Sequence, residues 1–354
     1  VTITLADAWL HSLDSILLQI AGSFAVRWYG LAYIAGFVSG WALLRWMSGR
    51  GLLALTKVQV TDLMLALILG VLVGGRLGYL LVYEPSLLTE FSASPPWWGA
   101  LAINRGGMAS HGGIAGVIIA TWWFGRRVKA PWLHVLDATA LVAPIGLFFG
   151  RIANFVNGEL LGKIVAAPGE PGPWWSVRYP QELLTRHAPA LTRAQEDRLY
   201  GLLAPYHMPG EEDLGPAIQR MLAALHRGGA SASDLVRDLP LVISARHPSQ
   251  IYQAVAEGLI VLAALWIVWA RPRKPGVVGC WFLIVYGLGR IATEFWRLPD
   301  DQFAVQRIAG LSRGQWLSVA MVVAGLIVLP IVSRRGVERM GGWLGRAKTN
   351  NAAG

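Results

Sequence analysis

The chain has 354 residues, of which 54% are hydrophobic and 15% charged, with mean hydropathy +0.46. A soluble domain of this length carries about 25% charged residues, so the composition points to a chain that crosses a membrane several times. The net charge of +10 does not indicate nucleic acid, because many cations stand in short clusters between apolar runs, the pattern that sets membrane orientation.

Residues 1–23 lack a basic leading segment and a clear cleavage site, so they do not read as a signal peptide. Leu5, Trp9, Leu13, Ile16, Leu17 and Ile20 recur at helical spacing, which predicts an interfacial helix over 1–23.

Spanning hydrocarbon takes about 20 mainly apolar residues. Such stretches lie near 24–46, 59–83, 107–124, 133–155, 249–270, 277–296 and 315–333. The basic groups Arg45/Arg50/Lys57, Arg126/Arg127/Lys129, Arg271/Arg273/Lys274 and Arg334/Arg335/Arg339 follow alternate stretches. All four fall on the cytoplasmic side only if the N-terminus is outside and the C-terminus inside. The expected architecture is therefore all-α and polytopic, with seven transmembrane helices. Its divisions are 1–23, then helices 1–4 over 24–162, a head over 163–248, helices 5–7 over 249–333 and a cytoplasmic tail over 334–354. Trp97, Trp98, Trp174 and Trp175 fall near the outer interface in that arrangement.

The segment 163–245 is polar and punctuated by Pro and Gly, and reads as a small helical head outside the membrane. Thr192 and Gln195 have capping-box spacing. Leu214, Ile218, Met221, Leu222 and Leu225 share a helical face that Gly228 and Gly229 end. The final "GRAKTNNAAG" reads as a disordered end.

Ionisable groups inside a bilayer cost about 2.5–3.5 kcal/mol each on insertion scales. Arg27, Arg76, His111, Asp137, Arg151, Glu159, Arg290 and Glu294 stand in or beside the apolar stretches. Arg27 and Arg76 read as structural, and Asp137, near the inner end of its span, as a helix or ion-pair residue. His111, flanked by glycines, admits a structural and a functional reading equally. Tyr286, Arg290 and Glu294 recur four residues apart and share one helix face. Arg151 and Arg290 cannot pair with each other, and Glu159 and Glu294 supply only part of the negative charge they need. A lipid phosphate matches the guanidinium fork. The lone Cys280, set in "VVGCWFLIVYG", reads as a small buried hydrophobe, and no disulfide can form within the chain. Ser249 reads as a helix cap. Close-packing glycines such as Gly112 and Gly116 read as helix contacts.

Together these motifs carry a resemblance. "GRIANFVNGELLG" (150–162) resembles the full signature of the bacterial phosphatidylglycerol–prolipoprotein diacylglyceryl transferase family. "RWYGLAY" (27–33), "SHGG" (110–113), "RHPSQIYQ" (246–253) and "YGLGRIATEFWRLPD" (286–300) resemble its other motifs in the expected order. The segment 163–245 carries no such motif. The resemblance implies an enzyme of the bacterial inner membrane. It would transfer the diacylglyceryl group of phosphatidylglycerol to the lipobox cysteine of a prolipoprotein signal peptide, forming a thioether and releasing glycerol 1-phosphate. It implies no metal and no diffusible cofactor. Arg151 and Arg290 would hold the headgroup, with Asn154, Glu159 and Gly162 shaping that site. Tyr29, His111, Tyr286 and Glu294 would line the reaction centre. His111 has the best-matched ordinary pKa for a general base, with Tyr29 and Glu294 as alternatives. Two competing readings are a transporter or lipid-binding channel, for which matched inverted repeats are expected and not found, and a phospholipid hydrolase or phospho-alcohol transferase acting on the same lipid.

Overall fold

A computed structural model describes residues 7–21, 24–93, 95–102, 106–185, 188–298 and 307–344. Leu5 and the segment 345–354 lie outside the described residues. In chain order the elements are β1 (Trp9–Leu10), β2 (Ile16–Ala21), β3 (Phe24–Arg27), α1 (Trp28–Gly49), α2 (Lys57–Val82), α3 (Ser110–Arg127) and α4 (Trp132–Val156). There follow β4 (Ile164–Ala166), β5 (Val177–Arg178), α5 (Arg193–Leu203), α6 (Gly215–Arg227), α7 (Ala230–Asp238) and β6 (Ala245–Arg246). The last elements are α8 (Ser249–Trp269), α9 (Val277–Thr293), β7 (Arg307–Ile308), β8 (Leu311–Ser312) and α10 (Arg313–Arg334).

Helices occupy all seven apolar stretches identified in the sequence. Among the described residues, α2, α4, α8 and α10 are long and apolar enough to cross a membrane, and α9 is a shorter apolar helix. Large apolar side chains on these helices stay exposed, including Leu69 and Leu81 of α2 and Ile327 and Ile331 of α10. That suits a lipid solvent and not water.

The described residues are mostly helical but not all-α, and 7–21 hold strands where the interfacial helix over 1–23 was expected. β2 pairs antiparallel with β3, while β1 runs parallel to β5 in a four-stranded sheet ordered β1-β5-β6-β4. Ile16 and Ile20 recur at helical spacing, yet with Leu18 they also make the two-residue repeat of a strand. Pairing with residues distant in sequence, invisible to a local pattern, decides between the two.

The chain forms two compact units. The first comprises 1–36, 146–260 and 286–320. Its sheet registers Trp9 with Val177, and both Val177 and Ile164 with Arg246. α5 starts at the capping box of Thr192 and Gln195, as the spacing predicts. α6 buries Ile218, Met221, Leu222 and Leu225 against Leu203, Leu235, Leu239 and Ile243, and Gly228 terminates it at φ +75°.

The second unit comprises 37–145, 261–285 and 321–354. Here α2 and α3 approach on their glycine faces: a Cβ on Gly70 would lie 2.7 Å from the Gly116 carbonyl oxygen, and one on Gly78 would lie 2.8 Å from Gly112 Cα. Arg76 is structural, donating to the carbonyls of Gly99 (2.6 Å), Ala100 (2.8 Å), Gly106 (2.8 Å) and Gly107 (3.0 Å). Asp137 accepts from the amides of Gly276 and Gly279, both at 2.7 Å, at the start of α9. It therefore acts at a helix end, where a carboxylate offsets unsatisfied N–H groups. Cys280 is buried beside Val277 and Val332.

Candidate active site

In the first unit, the end of α4 and the turn after it carry four of the nine candidate site residues: Arg151, Asn154, Glu159 and Gly162. Arg151 and Asn154 stand one turn apart on α4, and Gly158 (φ +65°) and Leu160 (φ +55°) then reverse the chain. The reversed carbonyls are held by the "RHPSQ" segment. Arg246 Nη1 donates to Gly162 O at 3.1 Å, Ser249 Oγ donates to Leu160 O at 2.8 Å, and Gln250 Nε2 donates to Glu159 O. Ser249 is thus a buried donor to the signature turn, and Pro248, not Ser249, is the cap residue of α8. Tyr179 donates its hydroxyl to Gln250 Oε1 at 3.1 Å; burial pushes its phenol pKa up, so it remains a donor. A Cβ on Gly162 would press on the backbone of His247, at 2.9 Å from its carbonyl carbon. The glycine closing the signature is required by that approach.

Buried Arg246 is itself held by Glu182 at 2.5 Å, with both side chains fully inaccessible. Glu182 also accepts from the Ser244 amide and hydroxyl, each at 2.7 Å. These bonds connect the strands of the head to the signature turn.

Two polar groups result. In one, Tyr29 donates to Glu159 Oε2 at 2.6 Å, Asn154 Nδ2 donates to the Tyr29 hydroxyl, and Asn157 Nδ2 reaches Glu159 Oε1 at 3.3 Å. In the other, Arg151 and Arg290 meet on Glu257. Arg151 places Nη2 at 2.9 Å and Nε at 3.2 Å from Oε2, while Arg290 Nη1 lies 3.5 Å from Oε1. Arg290 also lies 3.0 Å from Glu294 Oε2, its expected i,i+4 partner. Glu294 further engages Arg297 at 3.5 Å and accepts from Ser312 Oγ at 2.9 Å. Tyr286 lies beside Arg151, close to Glu257 and Arg290.

Glu257 is the residue that sequence reasoning missed. It sits in a π-helical turn, Ala254–Ile260, inside apolar α8. π turns recur at functional sites because they re-aim one side chain. Its signal was available: a lone carboxylate in "AVAEGLIVLAALW" is as costly as the ionisable residues that were selected. Glu294 pairs with Arg290 as its spacing predicts, and Glu257 supplies the further carboxylate that the two arginines need. Arg151 shares Glu257 with Arg290, and Glu159 faces Tyr29 and the two asparagines.

Exposure orders the cluster. Glu257 is fully buried, whereas Arg151 retains 18% and Arg290 13% of its side-chain surface. The carboxylate is the more deeply buried partner in each pair. Three guanidiniums (Arg151, Arg290, Arg297) gather on two carboxylates (Glu257, Glu294). The planar fork of a guanidinium is matched by an anion with several oxygens. His111 belongs to the second unit, in the first turn of α3, and is exposed.

Apolar helices, α4 and α8 of membrane length and the shorter α9, that carry a guanidinium–carboxylate cluster define a membrane protein with a polar centre. Comparison with known sequences narrows the class. The sequence model described as prolipoprotein diacylglyceryl transferase matches residues 15–331. The phosphatidylglycerol–prolipoprotein diacylglyceryl transferase of Bdellovibrio bacteriovorus is 37% identical over 348 residues, covering 94% of this chain and 97% of that protein. Proteins of the same name from Neisseria gonorrhoeae and Rhodospirillum rubrum are each 36% identical, covering 90% and 92% of this chain and 95% and 93% of their own lengths. The chain belongs to the prolipoprotein diacylglyceryl transferase family.

Proposed function

We propose that the protein transfers the diacylglyceryl group of phosphatidylglycerol to the lipobox cysteine thiol of a prolipoprotein. The sulfur attacks the glyceryl carbon that carries the phosphate ester, the carbon–oxygen bond breaks, and glycerol 1-phosphate leaves with the bonding pair. The thiol proton passes to a base. The supporting observation is the buried Glu257 on which the Arg151 and Arg290 guanidiniums converge. Negative charge on the departing phosphate grows as the bond breaks, so pre-oriented guanidiniums stabilise the transition state more than the ground state.

Asn154, Glu159 and Gly162 shape the headgroup site, Gly162 by letting the backbone close. Tyr29, Tyr286 and His111 serve the thiol side. Both oxygens of Glu294 are engaged by Arg290, Arg297 and Ser312, which makes it an orienting group and a poor proton acceptor. The Tyr29–Glu159 pair and His111 remain the better acceptors.

In this reading the seven helices all cross the bacterial inner membrane, with N-terminus and head outside and C-terminus in the cytoplasm. The helical part of the head guides the signal peptide. Reporter fusions at 47–57, 125–131 and 271–275 are expected to report cytoplasm, and a fusion within 190–230 to report the outside. The decisive assay incubates the purified protein with phosphatidylglycerol and a lipobox peptide. Mass spectrometry is expected to find a diacylglyceryl adduct on the peptide cysteine; phospholipid hydrolysis without that adduct would reject the transferase reading.

A further inference from the structure

Within the second unit, the end of α1 and the start of α2 enclose a cleft of about 270 Å³ lined by Arg45, Trp46, Gly49, Arg50 and Lys57. Three of the five lining residues are cations, and no carboxylate among the described residues lines it. Like charges gathered at this range repel, and a counter-anion relieves the repulsion. The cations are held in place. The Arg50 guanidinium lies 5.1 Å from the centre of the Trp46 ring and that of Arg45 lies 5.5 Å from the centre of Trp41. Stacking occupies the guanidinium faces and leaves the N–H edges to meet an anion. Arg45 spends one donor on the Lys57 carbonyl, at 3.3 Å, which ties the two helices together across the cleft. Gly49 admits the Lys57 side chain: a Cβ there would stand 2.7 Å from Lys57 Cε and 3.2 Å from Nζ.

The surroundings select the form of the anion. α2 is a membrane-length helix that begins at Lys57, so the cleft sits at the end of a candidate span. Beside it, Trp46 is 44% and Val58 69% exposed, an apolar flank suited to acyl chains. Basic pockets between membrane helices recognise lipid headgroups through this combination of charge and apolar border.

We propose that Arg45, Arg50 and Lys57 form a second anion site that binds the phosphate of an anionic phospholipid, apart from the residues assigned to transfer. The shared chemistry with free phosphate is the tetrahedral oxyanion; the apolar flank favours the lipid. The inference does not depend on the transferase reading.

The test is native mass spectrometry of the full-length, delipidated protein in detergent, titrated separately with dioleoyl phosphatidate, dioleoyl phosphatidylcholine and inorganic phosphate. Each cation near a charged lipid surface contributes about 1 kcal/mol, or roughly fivefold in affinity. The Arg50→Gln/Lys57→Gln variant should lose one bound phosphatidate, its affinity falling by roughly 25-fold. Arg151→Gln should keep that site. Gly49→Ala retains every charge but displaces the lysine, and should weaken the site by roughly fivefold, the single-cation value. It also serves as the test if the double variant does not fold. Unchanged phosphatidate binding in both cleft variants would overturn the proposal, as would equal binding of phosphatidylcholine at the cleft. Inorganic phosphate binding there as tightly as phosphatidate would reject the lipid as the occupant.

Discussion

Arg151 and Arg290 grip one carboxylate from its two sides, Arg151 at 2.9 Å from Glu257 Oε2 and Arg290 at 3.5 Å from Oε1. Glu257 thereby fixes the relative placement of two guanidiniums from α4 and α9, and Thr293 Oγ1 adds a donor to Oε1 at 3.3 Å. Gly258 makes the approach possible, since a Cβ there would lie 2.7 Å from Phe148 Cβ on α4.

The Glu257→Gln protein is therefore expected to suffer in two measurable ways. Removing one member of a buried ion pair costs about 3–5 kcal/mol, so heat inactivation in detergent should move to markedly lower temperature. Turnover should fall by at least tenfold even where the protein remains folded, because the guanidiniums lose their common anchor. Normal turnover in folded Glu257→Gln would show that other groups orient the arginines.

A second prediction concerns His11, at the edge of the sheet. Its Nε2 lies 2.7 Å from the Phe155 carbonyl near the end of α4, and Gln181 Nε2 lies 3.3 Å from Nδ1. With Gln181 donating to Nδ1, Nε2 carries the proton and donates to Phe155 O. Burial, and to a smaller extent the nearby His226, lowers the His11 pKa from 6.5 to about 4. The unfolded chain binds the proton more readily than the folded one, so the neutral ring's contribution is fully present above pH 6.5 and is lost as pH falls towards 4. The loss reaches at most about 3 kcal/mol. Chemical unfolding followed from pH 7.5 to 4.5 should show stability falling through that window, and His11→Phe, which cannot titrate, should flatten the dependence. An unchanged slope in His11→Phe would remove His11 as its source.

What the sequence disclosed and what it concealed follow from the range of each interaction. Helix positions were legible because apolar runs and caps are local: Thr192 and Gln195 form their box, and Gly228 ends α6. The Arg290–Glu294 pair was legible because four residues make one helical turn. Glu257 was not, since its partners come from α4 and α9 and its own turn is π-helical. The strand at 16–21 was misread because its apolar residues fit two periods, and pairing with 24–27 settled the choice. Likewise nothing local indicates that Arg246, Ser249 and Gln250 hold three successive parts of the signature turn.

The glycine contact of α2 with α3 supplies a third prediction. Gly112→Ala would bring a Cβ to 2.9 Å from Gly78 Cα, against backbone that cannot rotate away. Overpacking of this kind costs about 1–3 kcal/mol. Heat inactivation should shift downward for Gly112→Ala, while Gly146→Ala, where a Cβ meets nothing within 4 Å, should behave as wild type. Equal shifts in the two would argue against close packing as the cause.

Cys280 tests whether the enzyme supplies a thiol of its own. It is buried among Val277, Val332 and partly buried Leu133, and the proposed nucleophile belongs to the substrate. Cys280→Ala should keep most transfer activity. Loss of transfer by a normally folded Cys280→Ala protein would require a covalent intermediate on the enzyme.

The sharpest prediction is that Arg151 and Arg290 act on one phosphate. Both side chains meet on the same buried carboxylate and each keeps part of its surface, so an anion bridging them would complete the arrangement. Lysine keeps the charge but loses the planar fork, and a charge-assisted hydrogen bond is worth roughly 1.5–3 kcal/mol, so each Arg→Lys change should slow transfer about ten- to a hundredfold. Arg151→Gln and Arg290→Gln should each do more harm. The double glutamine variant should be less impaired than the product of the single effects, because groups that share a partner are coupled. The measurement is the thiol-transfer rate against phosphatidylglycerol concentration for the two single variants and the double. Near-normal rates in folded Arg290→Gln would remove that residue from the clamp, and strict additivity would assign the two arginines to separate tasks.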